Sequence, residues 1–286
     1  MPELPEVETV VRALSKCLTG RRVSRAEVLH RPSIAGSPEP PQCLCGKRIL
    51  RVFRRGKFIR MQLEGGYGMA IHLRMTGWLG VTDPQPVIPK TLLNNGVTRI
   101  ELAYLRVRFL LDNGPDCLSF TDIRTFGRVW CGKDETLERL KALSKLGPEP
   151  LEISAADFTS RLRSRRGRLK SVLLDQKFLA GVGNIYADES LHMAALHPLA
   201  LSQRVKPDSA ARLHAAIQRV LKKSIDAGGS SIDDFVHPDG ESGWFQRELL
   251  VYGREGEPCG RCGTKIKRIV LGQRGTWFCP ACQKRR

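Results

Sequence analysis

At 286 residues, with 41% hydrophobic and 27% charged side chains, the chain can bury two cores and has the balance of a globular protein. Its 47 Lys and Arg against 29 Asp and Glu leave a formal charge of +18, which points to a polyanionic partner, nucleic acid before an anionic membrane surface. No apolar run approaches the ~18 residues of a membrane span, no basic amphipathic helix with an aromatic face is present, and the polar start has no signal-peptide pattern; the expectation is an intracellular protein without a membrane partner.

The chain opens Met1-Pro2-Glu3-Leu4-Pro5-Glu6. Removal of Met1, usual before a small residue, would free a secondary amine on Pro2 beside the Glu3 carboxylate. An α-amino group titrates near about 8, against about 10.4 for lysine, so much more of it is neutral and nucleophilic. Its adduct with a sugar aldehyde carbon is an iminium with no N–H to lose, an electron sink for eliminations, and Glu3 can exchange a proton at the same carbon. As an isolated motif the segment reads more often as a proline-rich helix cap. The helix that follows is marked by Val7, Val10, Val11, Leu14 and Leu18, with Glu6 and Glu8 in its first turn and Gly20 as its end.

From Arg22 to about Trp130 the pattern is strand-like. Met69, Ile71, Leu73 and Met75 alternate, as do Val107, Phe109 and Leu111, and Asp112-Asn113-Gly114 reads as a turn. Proline-rich residues 33–42 and 82–89 read as surface loops. This half is expected to be an antiparallel β domain, sandwich or barrel, behind one helix. After Lys145-Leu146-Gly147-Pro148-Glu149-Pro150, a linker, helices are expected near 154–164, 168–175, 184–194 and 208–227. Gly228-Gly229 stops the last, and a loop runs from 230 to about 246.

Cys259-x2-Cys262 and Cys279-x2-Cys282, with 16 residues between the pairs, suit four thiolates on one structural Zn2+ that has no open position for water. Two strands between the pairs would put Arg274 at a hairpin tip, with Lys265, Lys267 and Arg268 alongside. The other cysteines, Cys17, Cys43, Cys45, Cys117 and Cys131, read as packed or idle thiols. Residues 161–170 hold six basic side chains, and Gly181-Val182-Gly183 precedes Asn184 at a helix start, a place for backbone N–H groups to meet a phosphate.

Taken in order, Met1-Pro2-Glu3-Leu4-Pro5-Glu6-Val7-Glu8-Thr9, His72-Leu73-Arg74-Met75-Thr76-Gly77, Asp122-Ile123-Arg124-Thr125-Phe126-Gly127, Gly181-Val182-Gly183-Asn184-Ile185-Tyr186 and the four-cysteine ribbon with Gln273-Arg274 resemble the formamidopyrimidine-DNA glycosylase family over essentially the whole chain. The resemblance implies an α+β fold class: an N-terminal antiparallel β-sandwich with flanking helices over 1–144, a linker at 145–151, a helix-two-turns-helix domain over 152–246 and a zinc-ribbon hairpin over 247–286. It implies a bifunctional glycosylase and abasic-site lyase that excises oxidised purines from double-stranded DNA and nicks it by β,δ-elimination, in the bacterial cytoplasm and associated with the nucleoid; nothing in the sequence marks an oligomer interface, and a monomer is the default expectation.

Roles carry over by position. Pro2 resembles the nucleophile, Glu3 the acid that opens the sugar ring, Glu6 a support of the same pocket, Lys57 an aid to β-elimination and Arg274 a phosphate ligand linked to δ-elimination. His72 and Asn184 match phosphate contacts, and Arg165 and Lys170 match DNA-facing basic residues. Met75, Arg124 and Phe126 match the set that fills the gap left by a flipped nucleotide. On the residues alone, Met75 and Phe126 read as core and His72 as a satisfied structural histidine. Tyr104 stands where the family commonly has a DNA-binding histidine, and Ile123 and Thr125 replace Pro and Arg of the fullest wedge motif. Two alternatives are an endonuclease VIII-like enzyme for oxidised pyrimidines and a catalytically inactive DNA-binding relative.

Overall fold

The computed structural model describes residues 1–82, 104–114, 116–230 and 243–285. Contacts group the chain into two units, Met1–Ser144 with Ala227–Trp244, and Lys145–Asp226 with Phe245–Arg286.

In the first unit, helix α1 (Leu4–Leu18) buries Val7, Val10, Val11, Leu14 and Leu18, the stripe its spacing predicts. Its start is a reciprocal cap: the Glu3 N–H donates to Glu6 Oε2 at 2.8 Å, and the Glu3 side chain accepts from the Glu6 backbone. Among the described residues eight strands follow: β1 (Val23–Val28), β2 (Ile49–Arg55), β3 (Phe58–Leu63), β4 (Tyr67–His72), β5 (Gly77–Thr82), β6 (Leu105–Leu111), β7 (Cys117–Asp122) and β8 (Arg128–Lys133). They form two antiparallel four-stranded sheets, ordered β1-β6-β7-β5 and β2-β3-β4-β8. One core joins them: Val107, Phe109 and Phe120 from the first sheet, Ile59, Met61, Met69 and Ile71 from the second, and the apolar stripe of α1. This is the expected sandwich.

The alternation read through Met75 breaks early. β4 ends at His72, and Arg74 takes a left-handed φ of 59°, so Leu73 stays buried while Met75 turns outward. Residues 33–42, expected as loop, carry parts of two single-turn 3-10 helices, Arg31–Ile34 and Pro41–Leu44. Most of the loops expected at 82–89 and 230–246 lies outside the described residues. Helices α2 (Asp134–Glu138) and α3 (Lys141–Ser144) close the main segment. α2 is held by Arg60 of β3, buried and bonded to Asp134 at 3.2 Å and Glu138 at 2.5 Å.

The second unit contains α4 (Ala155–Ser164), α5 (Leu169–Leu174), α6 (Asn184–Met193), α7 (Pro207–Asp226) and the hairpin β9 (Lys267–Leu271) and β10 (Arg274–Phe278). Ser154 caps α4, its Oγ accepting from the Asp157 N–H at 3.0 Å. α7 buries Leu213, Ile217, Val220 and Leu221 and stops at Gly228 and Gly229, both at positive φ. No helix among the described residues is long and apolar enough to cross a membrane.

Candidate functional site

The N-terminal residues are fixed from three sides. Pro2, Glu3 and Glu6 are buried at the positive end of α1. Glu6 serves two segments, accepting the Glu3 N–H through Oε2 and the Ser230 N–H through Oε1, each at 2.8 Å. That second bond ties Ser230 to the first unit, shortly after a 20-residue helix that belongs to the other. Gly229, at φ 81°, lies so close that a Cβ would come within 3.1 Å of the Glu6 side chain. Arg54 donates to Glu8 Oε2 at 3.0 Å, joining the second turn of α1 to the end of β2, three residues before Lys57. Gly56 makes the turn at positive φ, and Lys57 is buried beside Phe58. While Met1 is attached, the Pro2 nitrogen is an amide and cannot react.

A second cluster hangs from Asp122. Its fully buried carboxylate accepts from Thr76 Oγ1 at 2.6 Å, from the Arg124 N–H at 3.2 Å and from the Gly127 N–H at 2.6 Å. Its carbonyl oxygen accepts from Arg106 Nε at 2.8 Å. Arg128 clamps the far side, donating to the carbonyls of Thr125 at 2.9 Å and Gly127 at 2.8 Å. A Cβ on Gly127 would meet the Phe120 ring at 2.5 Å, so the turn admits no side chain there. One carboxylate therefore holds both the turn with Met75 and the turn with Arg124 and Phe126. Met75 is 42% exposed and Phe126 50%, with the Arg124 guanidinium 5.1 Å from the Phe126 ring. Neither is core, contrary to the reading of Met75 from alternation and of Phe126 as a buried aromatic at a strand end. Two large apolar side chains are thus held outward on braced turns.

His72 lies at the base of this cluster. Its Nδ1 accepts the Arg74 N–H at 3.0 Å, and its ring stands edge-on to Phe58. Burial, then the charges of Arg74 and Lys57, push its pKa down to about 3. The ring is neutral with its proton on Nε2, so it offers a neutral donor and no charge. Tyr104 is half-buried just before β6.

In the second unit one expected residue is elsewhere. Lys170 does not face outward: it is fully buried, and its ammonium lies 2.8 Å from Asp188 Oδ1, 2.9 Å from Thr276 Oγ1 and 2.9 Å from the Gly275 carbonyl. The reason is its place on α5, where it shares the inward face with Leu169, Val172 and Leu173. Arg165 remains half-exposed, 3.6 Å from Asp175. Asn184 Nδ2 donates to the same Gly275 carbonyl at 3.1 Å. Arg274 is not the hairpin tip. Gly272 and Gln273, both at positive φ, form the two-residue turn, and Arg274 is the first residue of β10, paired with Leu271 and exposed.

Glu189, the neighbour of Asp188 on α6, accepts the backbone N–H groups of Leu250, Val251 and Tyr252 at 2.8, 2.9 and 2.9 Å. Burial pushes its carboxyl upward, and these three donors pull against it. Sequence reasoning missed Asp122, Arg128, Asp188 and Glu189. For the last two a signal existed: charged residues on a helix that is buried on nearly every side must have buried partners.

The four cysteine sulfurs lie within 4.8 Å of one another. Individual pairs stand at 4.0 Å (Cys259 and Cys282), 3.5 Å (Cys262 and Cys279) and 3.4 Å (Cys262 and Cys282). A tetrahedron with zinc–sulfur bonds of about 2.3 Å has edges of about 3.8 Å, so the donor set fits structural Zn2+ with every position filled by protein. The local core is small, Val251 and Ile266 beside Cys259 and Cys279, so metal removal should melt the hairpin. Limited proteolysis after treatment with a strong chelator is expected to cut within 250–285 first and to leave the sandwich intact.

Three family models match successive parts of the chain: the formamidopyrimidine-DNA glycosylase N-terminal domain over residues 1–129, the formamidopyrimidine-DNA glycosylase H2TH domain over 146–236, and a zinc finger found in FPG and IleRS over 256–285. A formamidopyrimidine-DNA glycosylase of Solibacter usitatus is 45% identical over 287 residues, covering all of both chains. Among solved structures, a Lactococcus lactis FPG point mutant in complex with Fapy-dG-containing DNA superposes with a TM-score of 0.86 at 33% identity, covering 99% of this chain and 100% of that one. A complex of MutM with DNA containing carbocyclic 8-oxo-G gives 0.85 at 33% identity, with the same coverage. With its sandwich, helical segment and four-cysteine ribbon each matched in order, the chain belongs to the formamidopyrimidine-DNA glycosylase family.

Proposed function

We propose that this protein excises oxidised purines, 8-oxoguanine and formamidopyrimidines, from duplex DNA and then cuts the strand. Once Met1 is gone, the Pro2 nitrogen attacks C1′ of the damaged nucleotide, the bond from C1′ to the base breaks, and the base leaves with a proton. Glu3 protonates the ring oxygen as the sugar opens, giving an iminium at Pro2. Loss of a C2′ proton expels the 3′ phosphate, and a second elimination expels the 5′ phosphate. Lys57 and Arg274 serve these two steps. The observation that carries the reading is the reciprocal cap, which holds Pro2 and Glu3 together at the positive end of α1.

Met75, Arg124 and Phe126 would enter the gap left by the flipped nucleotide, Phe126 as wedge and Arg124 donating to the orphaned cytosine. Neutral His72, Tyr104, Arg165 and the backbone N–H groups at Gly183-Asn184 would hold phosphates. Lys170 has no part in that contact. On this reading residues 1–144 form the catalytic domain, 145–151 a linker, 152–246 the helix-two-turns-helix domain and 247–286 the ribbon. The +18 charge supports a monomer working on the bacterial nucleoid, with affinity falling steeply as salt rises.

The test is borohydride reduction during reaction with a duplex carrying 8-oxoguanine opposite cytosine. Protein lacking Met1 is expected to give a covalent adduct, and acetylation of its terminal amine to abolish it. An undiminished adduct after acetylation would defeat the Pro2 mechanism. Preference for a thymine-glycol duplex would instead favour the pyrimidine-directed alternative.

A further inference from the structure

α6 grips the metal module at a point that none of the assigned roles uses. His192 lies one turn after Asp188 on the same face of α6 and is 2% exposed. Its Nε2 is 3.4 Å from Cys259 Sγ, and Cys259 is equally buried. Two of the other sulfurs draw donors from inside the ribbon. Cys279 Sγ accepts the backbone N–H of Cys282 at 3.4 Å, and Cys262 accepts from the backbone and side chain of Thr264. At Cys259 the hydrogen-bonding neighbour is a ring nitrogen from a helix 67 residues earlier in the chain.

We infer that His192 donates an Nε2–H···S hydrogen bond to the Cys259 thiolate of the loaded zinc site and thereby holds the metal and ties the ribbon to α6. A zinc-bound sulfur is a thiolate and has no proton to give, so the shared proton must sit on the ring. Cys259 and Cys279 are the two buried ligands, and a thiolate shut away from water has no solvent to spread its charge; Cys279 already accepts the Cys282 N–H, which leaves Cys259 to the ring. The bond draws electron density from sulfur, making it a poorer target for protons and oxidants, and the metal dissociates more slowly. Nδ1, buried and without a hydrogen-bond partner, is then the bare nitrogen of a neutral ring. Together Asp188, Glu189 and His192 let one helix hold β10, the 250–252 segment and a metal ligand.

The experiment uses the full chain with His192→Phe, which keeps a ring but removes the donor, and His192→Gln, whose amide can still donate. In Co2+-substituted protein the thiolate-to-metal charge-transfer band should move to lower energy in H192F and stay near the wild-type position in H192Q. Zinc transfer to excess 4-(2-pyridylazo)resorcinol should be about 10–100-fold faster in H192F. Should H192F not fold, the wild-type chain still decides: with 15N-labelled histidine and 113Cd in the site, a His192 Nε2–H proton coupled to cadmium supports the bond. The Nδ1–H tautomer, an H192F spectrum and release rate matching wild type, or equally faster release without a band shift in both variants, overturns it.

Discussion

Lys170→Met is expected to cost the second unit about 3–5 kcal/mol, the loss that follows when one partner of a buried ion pair is removed and the other stays. Methionine fills the stem but leaves Asp188, fully buried, with the Trp277 N–H at 3.0 Å and no counter-ion. Lys170→Met with Asp188→Leu should recover most of the stability, because neither charge of the pair then remains inside. The deficit should also depend on pH. Burial already pushes Asp188 up to about 7, with Lys170 pulling it down, so removal of Lys170 raises it further. A carboxyl that holds its proton more tightly folded than unfolded adds no penalty below its unfolded pKa. The penalty grows as pH rises and is complete above the folded value. Urea melts should therefore show a larger Lys170→Met deficit near about pH 8.5 than near about pH 6; an equal deficit at both would mean that Asp188 is not the source. The hairpin is affected too, since Lys170 and Asn184 both hold the Gly275 carbonyl next to Arg274. On the proposed roles, products of the second elimination should fall more than those of the first.

The misreading of Lys170 shows where sequence reasoning stops. Six basic residues among 161–170 look like one solvated face, yet helical spacing from Leu169 to Leu173 turns Lys170 inward. Its partners lie 18 and 106 residues away, Asp188 and Thr276, and no local pattern announces them. Arg60 is the same case, a charged residue in a buried strand whose partners belong to α2. α1, α7 and the cysteine ribbon were legible because their signals are local: a 3.6-residue apolar stripe, a Gly-Gly stop and ligand spacing. The placement of Met75 was not legible. Alternation predicts a side chain's face only while the strand continues, and the left-handed turn at Arg74 ends it. The motif around Phe126 was visible with Asp122 at its head, but the bonds that shape it, from Thr76 46 residues earlier and from Arg128 back to the loop carbonyls, were not.

Asp122→Asn should separate excision from covalent chemistry. The carboxylate spends Oδ1 on Thr76 and Arg124 and Oδ2 on Gly127. An amide has one acceptor, so in either orientation its NH2 faces a buried donor, a cost of about 1–3 kcal/mol. Thr125, β-branched, is held at φ 58° in this loop, itself worth about 1–3 kcal/mol of strain that the surrounding bonds must offset. With the carboxylate gone that strain is released by moving the loop, and Arg124 and Phe126 lose their fixed positions. A displacement of about 1 Å at a positioning group can cost about 100-fold in rate. Single-turnover excision of 8-oxoguanine should fall by about 10–100-fold on that scale, and, on the role proposed for Arg124, discrimination between cytosine and adenine opposite the lesion should shrink. Borohydride trapping at a preformed abasic site, where no base remains to be displaced, should persist. Thr125→Gly added to Asp122→Asn removes the φ strain and should restore stability without restoring discrimination. If Asp122→Asn keeps wild-type excision, discrimination and thermal stability, the loop holds its shape without the carboxylate, and the positioning of Arg124 and Phe126 must come from Thr76 and Arg128.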